Sequence, residues 1–137
     1  MSKMFAKVLS SAVLGVDAYI VKVEAHLENV YPTSFMTVGL PEGAVKESKE
    51  RVMAAIKNSA FQIKQKRVVI NLAPADIRKE GAAFDLPIAI GILAAHGVVE
   101  STFLEKVILV GELSLDGKLR PVKGLFPICL KAREDGI

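Results

Sequence analysis

The 137-residue chain is poor in the residues that build disulfide-linked or metal-binding sites. It has one cysteine, Cys129, two histidines and no tryptophan. A single cysteine cannot form a disulfide within the chain, and it suits a reducing compartment. His26 has no second histidine or cysteine near it in the sequence, so we interpret it as a surface residue. We therefore predict no metal site and no structural disulfide.

The sequence also lacks a long apolar run, although 51% of its residues are hydrophobic. A membrane-spanning helix needs about 20 consecutive apolar residues. The longest run, residues 86–95, is half that length and contains Pro87 and Gly91. We expect residues 1–137 to form one soluble, cytoplasmic domain that makes no membrane contact.

A phosphate-binding loop of the Walker type is missing as well. Residues 111–118 (GELSLDGK) come nearest to one, but the first glycine is misplaced and Leu119 stands where Ser or Thr is required. Asp116 and Gly117 instead predict a tight hairpin turn. We expect no cofactor and no ATP hydrolysis in this chain by itself.

The patterns that are present predict a mixture of strands and helices. Strands are expected at residues 4–13, 16–28, 35–38, 67–72, 107–115 and 118–122. Helices are expected at residues 41–60, 86–95 and 125–133, with Pro41 in the first turn of the first helix. Ile137 follows a helix-ending glycine and is interpreted as the start of a further strand, so the chain is expected to be truncated at its C-terminus.

Charge is concentrated between the strand at 67–72 and the helix at 86–95. Five residues carry it: Asp76, Arg78, Lys79, Glu80 and Asp85. Loops between buried elements often hold functional sites, so we predict a contact loop here. In the alternative interpretation, Asp85 caps the following helix and the other charges pair at the surface. We favour the cap for Asp85.

A second uneven feature is the stretch from residue 51 to residue 75, which contains basic residues and no acid. The basic residues are Arg51, Lys57, Lys64, Lys66 and Arg67. Such an excess can contact nucleic acid. Phe61 is the one aromatic residue in this stretch, so no series of aromatic residues alternates with the lysines, and an ordinary solvated surface is the favoured alternative.

Three longer motifs carry a family resemblance. They are VGLPEGAVKESKERVMAAIKNS, NLAPADIRKEGAAFDLPIAIGILAA and GELSLDGKLRPVKGLFPICLKARE. Together they resemble the N-terminal domain of the Mg-chelatase-like AAA+ ATPases, the ComM/YifB family, from residue 5 to residue 137. The resemblance implies an α/β two-layer sandwich like domain 2 of ribosomal protein S5, with helices packed on a mixed sheet. It also implies that an AAA+ module using ATP and Mg follows residue 137, in a hexameric motor that drives DNA branch migration during recombination and natural transformation.

The same fold is found in the proteolytic domain of Lon proteases, whose motifs can be compared with this chain. Residues 79–85 are similar to the Lys-Asp-Gly-Pro-Ser-Ala-Gly motif, and Ala83 stands at the position of the nucleophilic serine. Residues 111–126 are similar, without gaps, to the region that carries a lysine after Gly-Gly-Leu, and Phe126 stands at the position of the lysine. The comparison implies that the catalytic dyad is absent and that Lys123 has no serine partner.

The leading hypothesis is therefore a non-catalytic accessory domain of a DNA-translocating ATPase. It would act through the basic segment and through the contact loop with Lys123, and it would mediate subunit assembly, nucleic-acid contact or both. A pure oligomerisation module is the alternative. A residual hydrolase acting through Glu80, Asp85 or Lys123 is a third, weaker hypothesis.

Overall fold

A computed structural model describes residues 4–64 and 67–137. Four strands form a mixed sheet in the order β1-β2-β4-β3. Their ranges are β1 Phe5–Leu14, β2 Asp17–Glu28, β3 Ser34–Val38 and β4 Arg67–Ala73. β2 is antiparallel to both β1 and β4, whereas β3 is parallel to β4.

The predicted alternation along β2 is confirmed. Val21, Val23 and Ala25 are fully buried, whereas Lys22 and His26 are exposed. A period of two places successive side chains on opposite faces, so one face of the sheet holds the core. β4 shows the same alternation of buried and half-buried residues.

Three α-helices complete the fold. They are α1 Ser48–Asn58, α2 Asp85–Ala95 and α3 Leu125–Glu134. α2 packs against β1 and β2, where Gly91 lies so close that a Cβ there would be 3.3 Å from the Cβ of Ala25. The sheet and helices confirm the predicted α/β two-layer sandwich. Within the described ranges, no helix has the length and apolarity needed to cross a membrane.

The predicted start of the first helix is wrong. α1 begins at Ser48, after a short 3-10 turn at Gly43–Val45, and Pro41 instead forms a bridge with Lys79. The reason is a tertiary contact before the helix. Gly39 has a φ of +104°, and a Cβ there would lie 2.1 Å from the carbonyl oxygen of Leu72. This close approach of the backbone to β4 holds the chain in an irregular path up to the 3-10 turn.

The predicted long strand at 107–115 is largely wrong as well. Only Glu112–Leu113 (β5) pairs as a strand, with Leu119–Arg120 (β6), and Ile108 makes an isolated bridge to β1. The chain leaves β1 because the N–H of Gly111 donates to the carbonyl of Ala83 (2.9 Å). The hairpin turn at Asp116 and Gly117 is confirmed, so the segment does not form a phosphate-binding loop.

Candidate functional site

A groove of about 870 Å³ lies beside the C-terminal end of β1. Its walls come from the loop at 76–84, from segment 121–124 and from Ile128 of α3. The apolar lining includes Val13, Leu14, Ile77, Phe84 and Val122. Its charged lining consists of Asp76, Arg78, Glu80, Glu112 and Lys123. A concave surface with an apolar lining and a few charges is typical of a binding site.

The structure divides the predicted contact residues into two groups. Asp76, Arg78, Glu80 and Lys123 are exposed and line the groove. Lys79 and Asp85 are fully buried, with 0% exposure, and do not line it. The loop therefore has an outer, charged surface and an inner set of charges that hold it in place.

Asp85 is not the N-cap of α2, contrary to our preferred interpretation. The cap position belongs to Phe84, and Asp85 is the first helical residue. Its side chain points inward, where it accepts hydrogen bonds from α1 and β5 in place of a bond to the backbone of its own helix. The Ser48 hydroxyl donates to Oδ1 (2.7 Å), Arg51 Nε donates to Oδ2 (2.6 Å), and the N–H of Leu113 also donates to Oδ2 (3.1 Å).

Arg51 completes this arrangement, which we call the Asp85 cluster (Ser48, Arg51, Asp85 and Leu113). Its second nitrogen donates to Oδ1 of Asp85 (3.1 Å) and to the carbonyl of Ala44 (2.5 Å). The hydrogen bond to Asp85 raises the pKa of Arg51 above its ordinary value, outweighing partial burial. A bidentate pair of this kind fixes the two helices relative to each other.

Lys79 holds the contact loop against the segment that precedes α1. Its Nζ donates to the carbonyls of Gly39 (2.8 Å) and Pro74, and its backbone N–H donates to the carbonyl of Leu40 (2.9 Å). Burial lowers the pKa of Lys79, and the nearby Asp76 only partly offsets this. Outside the core, Arg78 adds an ion pair to Glu42 (3.4 Å).

The groove has the shape of a binding site but lacks a paired nucleophile and base among the described residues. Ala83 lines it and offers no reactive group, whereas Phe126 is 75% exposed and does not line it. The hydroxyl of Ser11 donates to the carbonyl of Tyr19 (2.8 Å). Burial raises the pKa of Tyr19, whose hydroxyl donates weakly to the Arg78 carbonyl (3.4 Å). Asp85 cannot reach a substrate, which removes it from the hydrolase hypothesis.

The basic segment does not behave as one group. Arg51 belongs to the Asp85 cluster, and Arg67 pairs with Glu28 (3.0 Å). Lys57 and Lys64 are exposed and make no ion pair with any described residue. Lys66 lies outside the described residues. No three His, Cys, Asp or Glu side chains within residues 4–64 and 67–137 are grouped so that they could hold a metal ion.

Sequence reasoning missed Ser48 as a partner of Asp85 and missed the part that β1 plays in the groove. Ser48 falls on the buried stripe of α1, where its small size suggested close packing and gave no sign of a hydrogen bond. No sequence pattern indicated that β1 lies at an edge of the sheet, because an edge position depends on which strands pair with each other.

Comparison with known proteins identifies the family. A family model described as subunit ChlI of Mg-chelatase matches residues 23–137. The chain is 49% identical over 129 residues to the competence protein ComM of Haemophilus influenzae, covering 94% of this chain and 25% of that protein. The chain belongs to the Mg-chelatase-like ComM/YifB family. This membership makes it part of an AAA+ protein family.

Two further relatives extend the comparison. YifB of Salmonella typhimurium is 46% identical over 131 residues, covering 96% of this chain and 26% of that protein. A protein of Mycobacterium bovis is 39% identical over 130 residues, with 95% and 26% covered. The chain thus spans about a quarter of the length of the curated relatives that it matches.

The Asp85 cluster makes a stability prediction. Asp85→Asn keeps the size and shape of the side chain but removes the negative charge that pairs with Arg51. We therefore expect the free energy of unfolding to fall by about 3 kcal/mol. Glu47→Gln is the matched control, since Glu47 is 73% exposed and lies 3.9 Å from the same guanidinium. We expect that control to change stability by less than about 0.5 kcal/mol. Urea unfolding measures both, and equal effects of the two substitutions would contradict this account.

Lys79 makes a prediction about pH. Because burial lowers its folded pKa, the unfolded chain binds more protons between that value and the ordinary pKa of lysine, near 10.4. Stability contributed through Lys79 therefore rises with pH across this window. The difference in unfolding free energy between wild type and Lys79→Met should grow from pH 7 to pH 10, towards a limit, reached above about pH 10.4, of about 1.4 kcal/mol for each unit of depression. Tyr19 also has a shifted pKa, but it is present in both proteins, so its contribution to the pH dependence of stability cancels in the difference. A difference that stays constant or shrinks would show that Lys79 is not desolvated.

Proposed function

We propose that this chain is a non-catalytic accessory domain of an AAA+ ATPase that moves DNA, and that its groove mediates subunit assembly. The observation that supports this most directly is a groove with an apolar lining and exposed charges. Ala83 lines it, and the resemblance to Lon proteases puts this residue at the position of their nucleophilic serine. Such a surface can bind a protein, and none of the described residues that line it forms a hydrogen-bonded pair of nucleophile and base.

The family relationship supports the wider setting. One relative carries the name competence protein, which agrees with a role in natural transformation and DNA recombination. ATP and Mg would be bound by an AAA+ module elsewhere in the full-length protein, and the working form would be a hexamer. This chain would position the module and its neighbours without taking part in hydrolysis.

DNA contact is the second candidate, and a specific observation favours it. Lys57 and Lys64 are exposed and free of ion pairs among the described residues, so both ammonium groups can reach phosphate. Arg51 and Arg67 are held by carboxylates and would contribute less. The DNA-contacting surface would then be smaller than the sequence suggested, which is why assembly is the leading proposal.

Assembly can be tested by reversing the free charges of the groove in the full-length protein. We expect the double variant Glu80→Lys, Lys123→Glu to weaken subunit association about tenfold, because charges at the rim of an interface would oppose their partners. The matched control is Glu105→Lys, Lys106→Glu, whose side chains are exposed and do not line the groove. Sedimentation velocity over a concentration series measures the association. Unchanged assembly in the groove variant would contradict the proposal.

DNA contact can be tested through salt dependence. If Lys57 and Lys64 each contact a phosphate, Lys57→Gln, Lys64→Gln should make the slope of log K against log salt less negative by roughly 2 for duplex DNA. Lys46→Gln, Lys49→Gln removes the same charge from exposed positions nearer the start of α1 and serves as the control. Fluorescence anisotropy with labelled DNA gives the slopes. Equal slopes for both double variants would assign the effect to net charge alone.

A further inference from the structure

β1 is an edge strand of which only the first part is covered. Ile108 forms a parallel bridge with Leu9, and the N–H of Leu109 donates to the Leu9 carbonyl (2.9 Å). The Ser10 hydroxyl donates to the carbonyl of Leu109 (2.7 Å). The chain then turns away to the start of α2 at Gly111. Beyond Ser10, residues 11–14 of β1 line the groove.

The pairing of β1 with β2 shows which backbone groups face away from β2. Leu14 pairs with Asp17 across a two-residue turn, so these two residues form the hydrogen-bonded pair that closes the hairpin. Hydrogen-bonded and non-hydrogen-bonded pairs alternate in an antiparallel ladder. The peptide groups of Ser11 and Val13 therefore point away from β2. The bond that Leu9 accepts from Leu109 confirms this alternation independently.

The outward N–H and C=O groups of Ser11 and Val13 have no hydrogen-bond partner among the described residues. Both residues line the groove; Ser11 is only 2% exposed, whereas Val13 is 39% exposed, so it is Ser11 whose backbone groups are buried. Buried backbone groups are nearly always paired in folded proteins. An added strand would supply the missing acceptor and donor, as in peptide recognition by strand addition.

We propose that an extended segment of a neighbouring subunit binds in the groove and adds to β1 as a further strand. This inference rests on the proposed assembly function, which requires a contact between copies. About three quarters of the length of the relatives lies outside the region matched here, so a full-length subunit has ample chain to supply the segment. The segment carries apolar side chains at alternate positions, facing Ile77 and Val122, and charged residues that meet Glu80 and Lys123.

A cross-linking experiment on the full-length protein identifies the occupant. A photoreactive phenylalanine replaces Leu14, which is 62% exposed and lines the groove. Subunits labelled with ¹⁴N and ¹⁵N are mixed, assembled and irradiated, and the cross-linked peptides are sequenced by mass spectrometry. We expect cross-links that combine both isotopes and map to one segment. Links confined to a single isotope, or none at all in assembled protein, overturn the proposal.

A backbone substitution tests the strand itself. In Val13→Pro the outward N–H is lost while the β2 bonds remain, and proline is tolerated at such edge positions. We expect the cross-link yield to fall about tenfold, consistent with losing one hydrogen bond and stranding its acceptor. Val13→Ala keeps the N–H and should stay within threefold of wild type. Equal losses in both variants overturn the strand mode.

Hydrogen exchange in the wild-type protein keeps the inference testable should Val13→Pro misfold. The amides of Ser11 and Val13 should exchange at least tenfold more slowly in the assembled protein than in subunits separated by dilution. Unchanged exchange on assembly contradicts strand addition. Assembly without protection or cross-links removes this inference and leaves the proposed function standing, whereas absence of assembly removes both.

Discussion

The buried carboxylate of Asp85 is the interaction on which the rest of the structure depends. It begins α2, the helix that packs on β1 and β2, and it accepts hydrogen bonds from Ser48 and Arg51 of α1 and from Leu113 of β5. Burying a charge is costly unless it is paired and its remaining lone pairs are satisfied. Both conditions are met here, so one side chain holds two helices and the hairpin together.

Lys79 has a comparable role on the other side of the contact loop. With Asp85 at one end and Lys79 near the other, the loop is tied to the core by two buried charges. The residues between and beside them, such as Arg78 and Glu80, are left exposed at the groove. A loop held in this way presents its charges in a fixed geometry, which lowers the entropy cost of binding a partner.

The same geometry separates binding from catalysis. A hydrolase needs a nucleophile beside a base, and Ala83 provides none in the groove. What the groove does provide is an apolar lining, exposed charges and a strand edge at Ser11 and Val13, whose outward backbone groups have no partner among the described residues. Within an AAA+ family, these properties support our proposal that the domain joins subunits.

The sequence by itself determined the strands of the sheet, the central part of each helix, the hairpin turn at Asp116 and Gly117, and the family. These features follow from local periodicity, turn chemistry and long motifs. Tertiary structure decided the late start of α1, the inward direction of Asp85 and Lys79, and the open edge of β1. Asp85 meets Arg51 across 34 residues and Lys79 meets Gly39 across 40. No local pattern encodes such distant partners, because a charged side chain turns inward only when the fold brings its counter-charge or acceptors to meet it.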